Sequence, residues 1–587
     1  MRDRRMVIRC ATRAGRMTAI ASLCLLAVQV HAQESTVVPG ARSSTAGFED
    51  RLPPEPLSPW SAVEAEIERL VVRGDLPFEA RSFRPIDRAE LAAWLLASRP
   101  ASASPSTRPE IAPSRALLLA LLRWDLAWVA REPVAAAAAG SPDPLAASRP
   151  GTLLRIGAGD RLLTLSPYLR AMPRFATGRE VAWTDSTRLG FRATFFGGRS
   201  LVIESGFYAA EVERGRSFAD PLVAGTDLIL HADELTLSAR LGALRLRLGR
   251  DRHHWGPGAS GTLLLAESAR PLDFVEYQIR LGERLRFLAL TAITDRHAAL
   301  GAPGSNPGAN RYLAAHRLLW TITPDFALGL SEGARYQAAQ PGLLYLAGFV
   351  PFTLVERLQM YDEPSDSTEN FLRNNVLWSV DLAWRARPDL LLYTELLADD
   401  IATQSSSTPT RGGFQLGLTY APRWRGWDWT LGAEYTRISD FTYSVYYQDL
   451  CRCDWEDGGE PLGFPLGPDS EVALLRAALK PRPALDLGVS IQHARRGDGA
   501  IGRPWRLPDP GCDPARDDCG DANAWSFDRP RRSWTLAVES RYRPVPLVWM
   551  GLRVEHLARK EPRIAGGAAT NDWESETLLR WMVSAGQ

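Results

Sequence analysis

The sequence predicts an all-β transmembrane barrel of about eighteen antiparallel strands, preceded by a small N-terminal α-helical domain. Three observations carry that prediction. First, from Leu162 to Val583 apolar and polar residues alternate in segments of roughly ten residues, as in Leu244-Arg245-Leu246-Arg247-Leu248 and Leu485-Asp486-Leu487-Gly488-Val489-Ser490-Ile491. Each such strand has one apolar and one polar face. Second, the connections alternate between short turns and long loops, as outer-membrane barrels require. Third, no stretch after the leader reads as a transmembrane helix, and a backbone satisfied in lipid without helices must close into a barrel.

Residues 1–32 read as a signal peptide. Six arginines precede an apolar run from Thr18 to Val30, too short to span a bilayer, and Val30-His31-Ala32 offers a cleavage site. Arg4-Arg5 lacks the flanks of a twin-arginine signal, and Cys24 follows Leu23 rather than the small residue of a lipoprotein anchor. Residues 33–57 form a polar, proline-dotted linker, and 133–150 form an Ala/Pro/Ser linker. Between them, residues 58–132 are expected to make a periplasmic helical bundle. Its first helix opens at Ser58-Pro59-Trp60, carries Val63, Ile67, Leu70 and Val71, and closes at Gly74. Further helices begin at Pro85-Ile86-Asp87 and at Ser114. A bundle this small has a marginal core, so it should dock on the barrel's periplasmic mouth rather than hang free.

The barrel is expected to occupy residues 151–587. Strands are predicted near 162–173, 186–197, 200–212, 231–241, 243–251, 273–281, 284–295, 311–323 and 326–336. The second nine fall near 372–386, 389–400, 411–421, 428–438, 471–482, 484–494, 533–544, 546–557 and 573–583. Sixteen strands is the alternative count. An even number places both termini in the periplasm and the long loops outside. Inward parity carries Arg188, Arg192, Glu204, Glu234, Arg240, Arg245, Arg247, Glu276, Arg280, Glu434, Glu539, Arg541, Arg553 and Glu555, which either line a hydrated lumen or hold a plug by ion pairs. Trp378, Trp384, Trp429, Trp534 and Tyr420 fall outward near strand ends, where an interfacial girdle sits.

Charge excludes one class of partner. The chain's 69 basic and 68 acidic residues balance, and losing the arginine-rich leader leaves it slightly acidic. That is no footprint for nucleic acid. Four cysteines follow the leader, all in polar loops: Cys451, Cys453, Cys512 and Cys519. In an oxidising envelope they read as disulfide staples. Cys512 and Cys519 pair easily, whereas Cys451 and Cys453 are so close that pairing across loops is the alternative. Zinc is disfavoured because no histidine lies near them in sequence, and no metal or cofactor is expected.

The densest polar cluster runs Gly249-Arg250-Asp251-Arg252-His253-His254-Trp255-Gly256-Pro257-Gly258 and continues to Leu263-Leu264-Leu265 and Ala269-Arg270-Pro271. Adjacent histidines diverge on a regular backbone, which argues against a shared metal. A hydrolase would need Ser260 or Ser268 as nucleophile, without a nucleophile elbow. The other readings are a loop folded into the barrel, or a carbohydrate contact through the flat face of Trp255. Candidate site residues are Arg250, Asp251, His254, Trp255 and Arg270, acting as polysaccharide ligands or as organisers of the loop.

These residues resemble the central signature of the capsule-assembly Wzi family. The segment Ile67-Glu68-Arg69-Leu70, Gly74, Leu76-Pro77, Arg84-Pro85 and Arg88-Ala89-Glu90-Leu91 is similar to that family's N-terminal helical module. The resemblance implies an eighteen-stranded outer-membrane barrel that binds surface polysaccharide and keeps capsule attached, without catalysis. It makes capsular or extracellular polysaccharide, outer-membrane lipid and the capsule export machinery the expected partners. The chain departs from many such barrels in ending Ser584-Ala585-Gly586-Gln587 and in its two Cys-bearing outer loops. A diffusion channel is the alternative function and an outer-membrane hydrolase the third.

Overall fold

The computed structural model describes residues 64–97, 113–122 and most of 151–586. Its gaps fall at 159–160, 178–181, 185–186, 199, 212–227, 295–309, 339, 363–373, 402–408, 446–450, 452, 504–524, 526, 528–529, 546–547 and 561–572. Eighteen long strands make the wall. They are β1 Arg161–Ala171, β2 Arg188–Gly197, β3 Leu201–Glu211, β4 Leu228–Leu241, β5 Leu244–Asp251, β6 Leu272–Leu281, β7 Leu285–Thr294, β8 Asn310–Thr323 and β9 Phe326–Ala338. The second nine are β10 Asn374–Arg387, β11 Leu390–Asp400, β12 Arg411–Tyr420, β13 Trp427–Ile438, β14 Ser470–Arg482, β15 Leu485–Arg496, β16 Arg531–Val545, β17 Val548–Lys560 and β18 Glu574–Ala585. Each pairs antiparallel with its neighbours, and β18 returns to β1 through Val583↔Ala171 to close the barrel. The seam is completed by short pieces. Leu154–Ala158 pairs with the start of β1, and Arg174–Thr177 pairs with β18 where β1 has ended.

Alternation sorts the two faces as a bilayer demands. Leu246, Leu248, Val275, Leu330, Val380, Leu396, Leu416, Leu487, Val489, Ile491, Leu536 and Val538 are exposed on the outer surface, a belt that only lipid can solvate. Trp378, Trp384 and Trp534 are exposed near strand ends, with Trp429 and Tyr420 half-buried. No helix among the described residues is long and apolar enough to cross a membrane.

The short-turn end is filled by helices α1 Glu64–Arg73, α2 Glu79–Ser82, α3 Arg88–Ala97 and α4 Pro113–Leu121. Helix α1 stops where Gly74 takes φ 85° and Asp75 N–H returns to Leu70 O at 2.9 Å. Asp87 caps α3, its carboxylate accepting Ala89 N–H at 2.8 Å. Both features were visible as sequence signals; α2 was not. Apolar side chains of the helices (Ile67, Leu70, Leu91, Leu95, Leu118) share one core with the barrel residues Ala327, Ala383, Leu391 and Tyr393.

Inward charges of the wall tie the helices down. Arg240 donates to Asp87 at 2.6 Å, while Arg280 and Arg286 hold Glu90 at 3.0 Å each. Arg385 reaches Val71 O and Val72 O at 2.6 and 3.1 Å, adding to the Gly74 N–H that Val71 O already accepts at the end of α1. Burial alone would raise the Glu90 carboxyl, but Arg286 and its neighbours outweigh it and hold it down to about 2. For Asp87 burial wins over Arg240 and Arg245, and the carboxyl is raised. Elsewhere inward charges pair within the wall, as Arg192 does with Glu204 and Glu234 at 3.0 and 2.6 Å.

Candidate functional site

The loop of residues 252–271, between β5 and β6, turns inward and crosses the lumen. Strand parity decides how it leaves. Asp251 faces in, bonded to Arg247 at 2.6 Å, and Glu276 takes Arg247 at 3.4 Å and His253 at 3.2 Å. Arg250, one residue earlier, faces the outer surface and pairs with Asp273 at 2.8 Å. Of the five candidate residues, His254, Trp255 and Arg270 therefore belong to the loop, Asp251 faces inward from the end of β5, and Arg250 faces the other way.

His254 and Trp255 form a two-residue ladder with Phe83 and Arg84, which bridges the lumen loop to the helical plug. Gly256 N–H donates to Ser82 O at 2.8 Å, and Arg81 donates to Pro257 O at 3.0 Å. Gly256 sits at φ 140°, and a Cβ there would meet Thr262 and Glu395 at 2.8 Å, so only glycine fits. This contact between two distant motifs had no signal in either one alone. Segment 83–84 is too short to show a strand period.

From Gly256 the loop reaches the opposite wall. Glu434 accepts Ala259 N–H at 2.7 Å, Ser260 N–H at 2.9 Å and the Ser260 hydroxyl, and Glu395 accepts Leu263 N–H at 3.0 Å. Gln415 donates to Gly261 O at 3.1 Å. A loop backbone without a ladder of its own is thus satisfied by inward side chains. Trp255, Leu263, Leu264 and Leu265 are 1%, 0%, 0% and 1% exposed, packed with Phe274, Leu288, Leu290 and Leu313. Trp255 offers no open face to a sugar.

The long loop of 439–469 is built on top of this one. Tyr443 hydroxyl donates to Leu263 O at 2.6 Å and Trp455 Nε1 to Leu264 O at 2.7 Å. Ala266 N–H donates to Leu462 O at 2.8 Å. Cys451 and Cys453 are bonded to each other within this long loop and are fully buried. Cys512 and Cys519 lie outside the described residues. Arg270 is exposed beside the turn at Gly458, which places it at the long-loop end of the barrel.

Between the lumen loop and the wall of β16–β18 lies a cavity of 730 Å³. Arg84, Arg252, Arg541 and Arg553 line it together with Glu64, Glu267 and Glu539. Arg84 pairs with Glu64 at 3.0 Å and Glu267 at 3.1 Å, and Arg541 and Arg553 pair with Glu539 at 3.0 and 3.4 Å. Burial pushes the Glu64 carboxyl up to about 7 against the pull of Arg84. Burial pushes the His254 imidazole down to about 4. Its Nε2 lies 3.1 Å from Gly256 O, while His253 is held separately by Glu276 and the edge of Phe274. Among the described residues no three His, Cys, Asp or Glu side chains group as a metal site.

A depressed imidazole has a definite pH consequence. His254 is neutral when folded and binds a proton more readily once released, so its stabilisation is complete above about pH 6.5 and lost as pH falls toward 4. Glu64 acts in the opposite sense, because its raised carboxyl gains a proton in the docked state as pH falls through about 7. Comparison with His254→Gln isolates the first effect. Amide protection of residues 83–97, measured against the intrinsic exchange rate at each pH, should fall more in the wild type than in the variant between pH 6.5 and 4. Identical pH profiles would remove His254 from the plug's energetics.

The sequence profile for the capsule assembly protein Wzi matches residues 230–528, which include the lumen loop, its Glu395 and Glu434 anchors and the long loop of 439–469. The chain belongs to the Wzi capsule assembly family. Among solved structures, Wzi from Escherichia coli is similar over 89% of this chain and 98% of its own, at 13% identity and a TM-score of 0.53. That protein is described as an outer-membrane, carbohydrate-binding β-barrel involved in group 1 capsule assembly. At this identity the likeness shows the fold: a closed eighteen-stranded barrel with a few N-terminal helices. OprD of Pseudomonas aeruginosa matches 72% of this chain and 94% of its own at 11% identity and a TM-score of 0.37. OccD3 of the same organism matches 72% and 90% at 10% identity and 0.37. No curated protein matches the sequence. In this Wzi-family barrel, the motif that carried the resemblance is the lumen loop and its joint with the helical plug.

Proposed function

We propose that this barrel holds capsular or extracellular polysaccharide at the cell surface by binding, without catalysis, with both termini periplasmic and the long loops outside. The observation that carries the reading is the stack inside the wall: helical plug, lumen loop and outer loop, each bonded to the next. A barrel built for passage keeps its lumen clear, whereas here the middle of the lumen is a packed apolar core. What that core supports is the shape of the outer loops, where Arg270 is exposed. Many weak contacts between a repeating chain and many barrels can hold a capsule by avidity. Ser260, the first of the two serines a hydrolase would use, is spent on Glu434.

Deleting the gene tests the role in the cell: surface polysaccharide should fall while its export continues, and an unchanged capsule would refute the proposal. In planar bilayers the purified barrel should show only small currents. A large steady conductance would instead favour the diffusion channel.

A further inference from the structure

The connection from β9 to β10 leaves the barrel on its outer side. Helices α5 Leu343–Ala347 and α6 Phe352–Asp362 lie against the outward faces of β7–β10. Parity establishes the side: Arg317, Ser331, Asp381 and Arg335 face the lumen, so Tyr312, His316, Glu332 and Tyr336, at the alternate positions, face out. Tyr345 stacks on Tyr336 with centroids 4.0 Å apart, and Phe352 packs on His316 at 4.5 Å. Beneath the hairpin the outward residues are Ala289, Ala314 and Ala334, small enough for backbones to approach closely. Gly348, at φ 67°, rests on Ala289, where a Cβ would come within 2.5 Å of the alanine methyl.

The hairpin covers a charge at the mid-height of the wall. Glu332 is the central residue of β9, and its ladder partner His316 is at the middle of β8. Glu332 is fully buried, accepting Phe352 N–H at 2.7 Å and Thr353 N–H at 2.9 Å from the start of α6, with His316 Nε2 3.2 Å away. An outward carboxylate at that height would otherwise meet hydrocarbon, at a large cost. A helix N-terminus is a fitting partner for it. The hairpin's own outer face is apolar: Leu343 is 80% exposed, Phe349 67%, Leu354 48% and Leu358 44%. It continues the lipid-facing belt at Leu330, Trp378 and Val380. Arg357, a turn and a half into α6, is long enough to reach toward lipid headgroups as the chain returns to the long-loop end.

We propose that the α5–α6 hairpin is a re-entrant element embedded in the outer leaflet, with acyl chains as the occupant of its exposed apolar face. Its backbone satisfies the demands of lipid because it is helical, with Leu346 N–H on Gly342 O at 2.9 Å and Val355 N–H on Pro351 O at 3.0 Å. The Glu332 carboxylate is the latch that holds it on the wall.

Nitroxide labels at Leu343→Cys and Phe349→Cys, in full-length protein with Cys512 and Cys519 replaced by Ser and reconstituted in phosphatidylcholine vesicles, test this. Collisions with oxygen should exceed those with a water-soluble nickel chelate, matching a label at Val380→Cys and opposite to one at Glu460→Cys. Dominant nickel collisions would place the hairpin in water and overturn the proposal. Low collisions with both would mean a protein cover, such as a second copy of this chain, and would overturn it too. Adding Glu332→Ala should raise nickel collisions at the Phe349→Cys label several-fold, and an unchanged label would refute the latch.

Discussion

Arg69→Met should undock the helical plug while leaving the wall assembled. Arg69 is 1% exposed and donates to Glu66 at 3.0 Å, Asp486 at 2.7 Å and Thr430 at 2.8 Å. Lys480 completes the cluster, donating to Glu66 at 2.7 Å and Asp486 at 2.5 Å. Two cations therefore balance two carboxylates across the joint between helix and wall. Removing the guanidinium leaves both carboxylates competing for one ammonium. Breaking a buried pair in this way costs about 3–5 kcal/mol, which lowers the docking equilibrium constant by a factor on the order of 10²–10⁴. Limited proteolysis should cut residues 64–97 in the variant and spare them in the wild type. Heat-modifiable gel mobility should stay that of a folded barrel. Wild-type protease resistance would mean that the apolar core shared with Ala327, Ala383 and Leu391 is enough by itself. The double change Glu66→Gln with Arg69→Met should recover part of the docking, because one stranded charge goes with it.

The wall was readable because its signal is periodic and repeated. Every strand must show lipid one face and the lumen the other, so Leu244 to Leu248 or Leu485 to Ile491 announce themselves locally. Two of the three longer helices had a stop or a cap, Gly74 and Asp87, and the third had Pro113-Ser114 in its first turn. What could not be read is contact between segments that carry no period. Phe83 and Arg84 become a strand only because His254 and Trp255 supply the ladder. The α5–α6 hairpin shows no one-sided helical period in sequence, since its apolar residues face two ways, toward Tyr312 and Tyr336 on one side and outward on the other. The exchange of Leu for Ala at the outward positions 289, 314 and 334 was a trace of it, meaningful only once the register was known.

The candidate site was legible as a place and not as a chemistry. The run from Gly249 to Pro271 was singled out for its density of polar and aromatic groups, and it is the segment that crosses the lumen. Glu434 was on the inward parity, but nothing in the sequence said that it would receive Ala259 and Ser260. Glu395, Tyr443 and Trp455, which hold Leu263 and Leu264, were missed because each is remote in sequence and ordinary in its own segment. Arg250 was grouped by proximity with Asp251, although adjacent strand residues point to opposite faces.

Trp255→Ala and Arg270→Ala should both reduce polysaccharide retention, through separable causes. Trp255 is among the largest fully buried side chains, and truncating it leaves a void beneath Leu264, Leu265 and the outer loop. Such a loss costs about 3–5 kcal/mol, spent mostly within the lumen stack because the wall's ladders remain paired. Amide protection over residues 439–469 should collapse, and retention with it, while heat-modifiable mobility persists. Arg270 has no core to support. Its replacement should leave amide protection untouched, and losing one charged hydrogen bond of about 1.5–3 kcal/mol per site is multiplied by the number of barrels gripping each chain. Wild-type retention in a folded Trp255→Ala barrel would show that the outer loops keep their shape without the lumen loop. Wild-type retention in Arg270→Ala would leave the sugar contact to other residues of the outer surface. Retention lost in both, with protection lost only in the first, is the pattern expected of a barrel whose interior is a scaffold and whose exterior is the binding face.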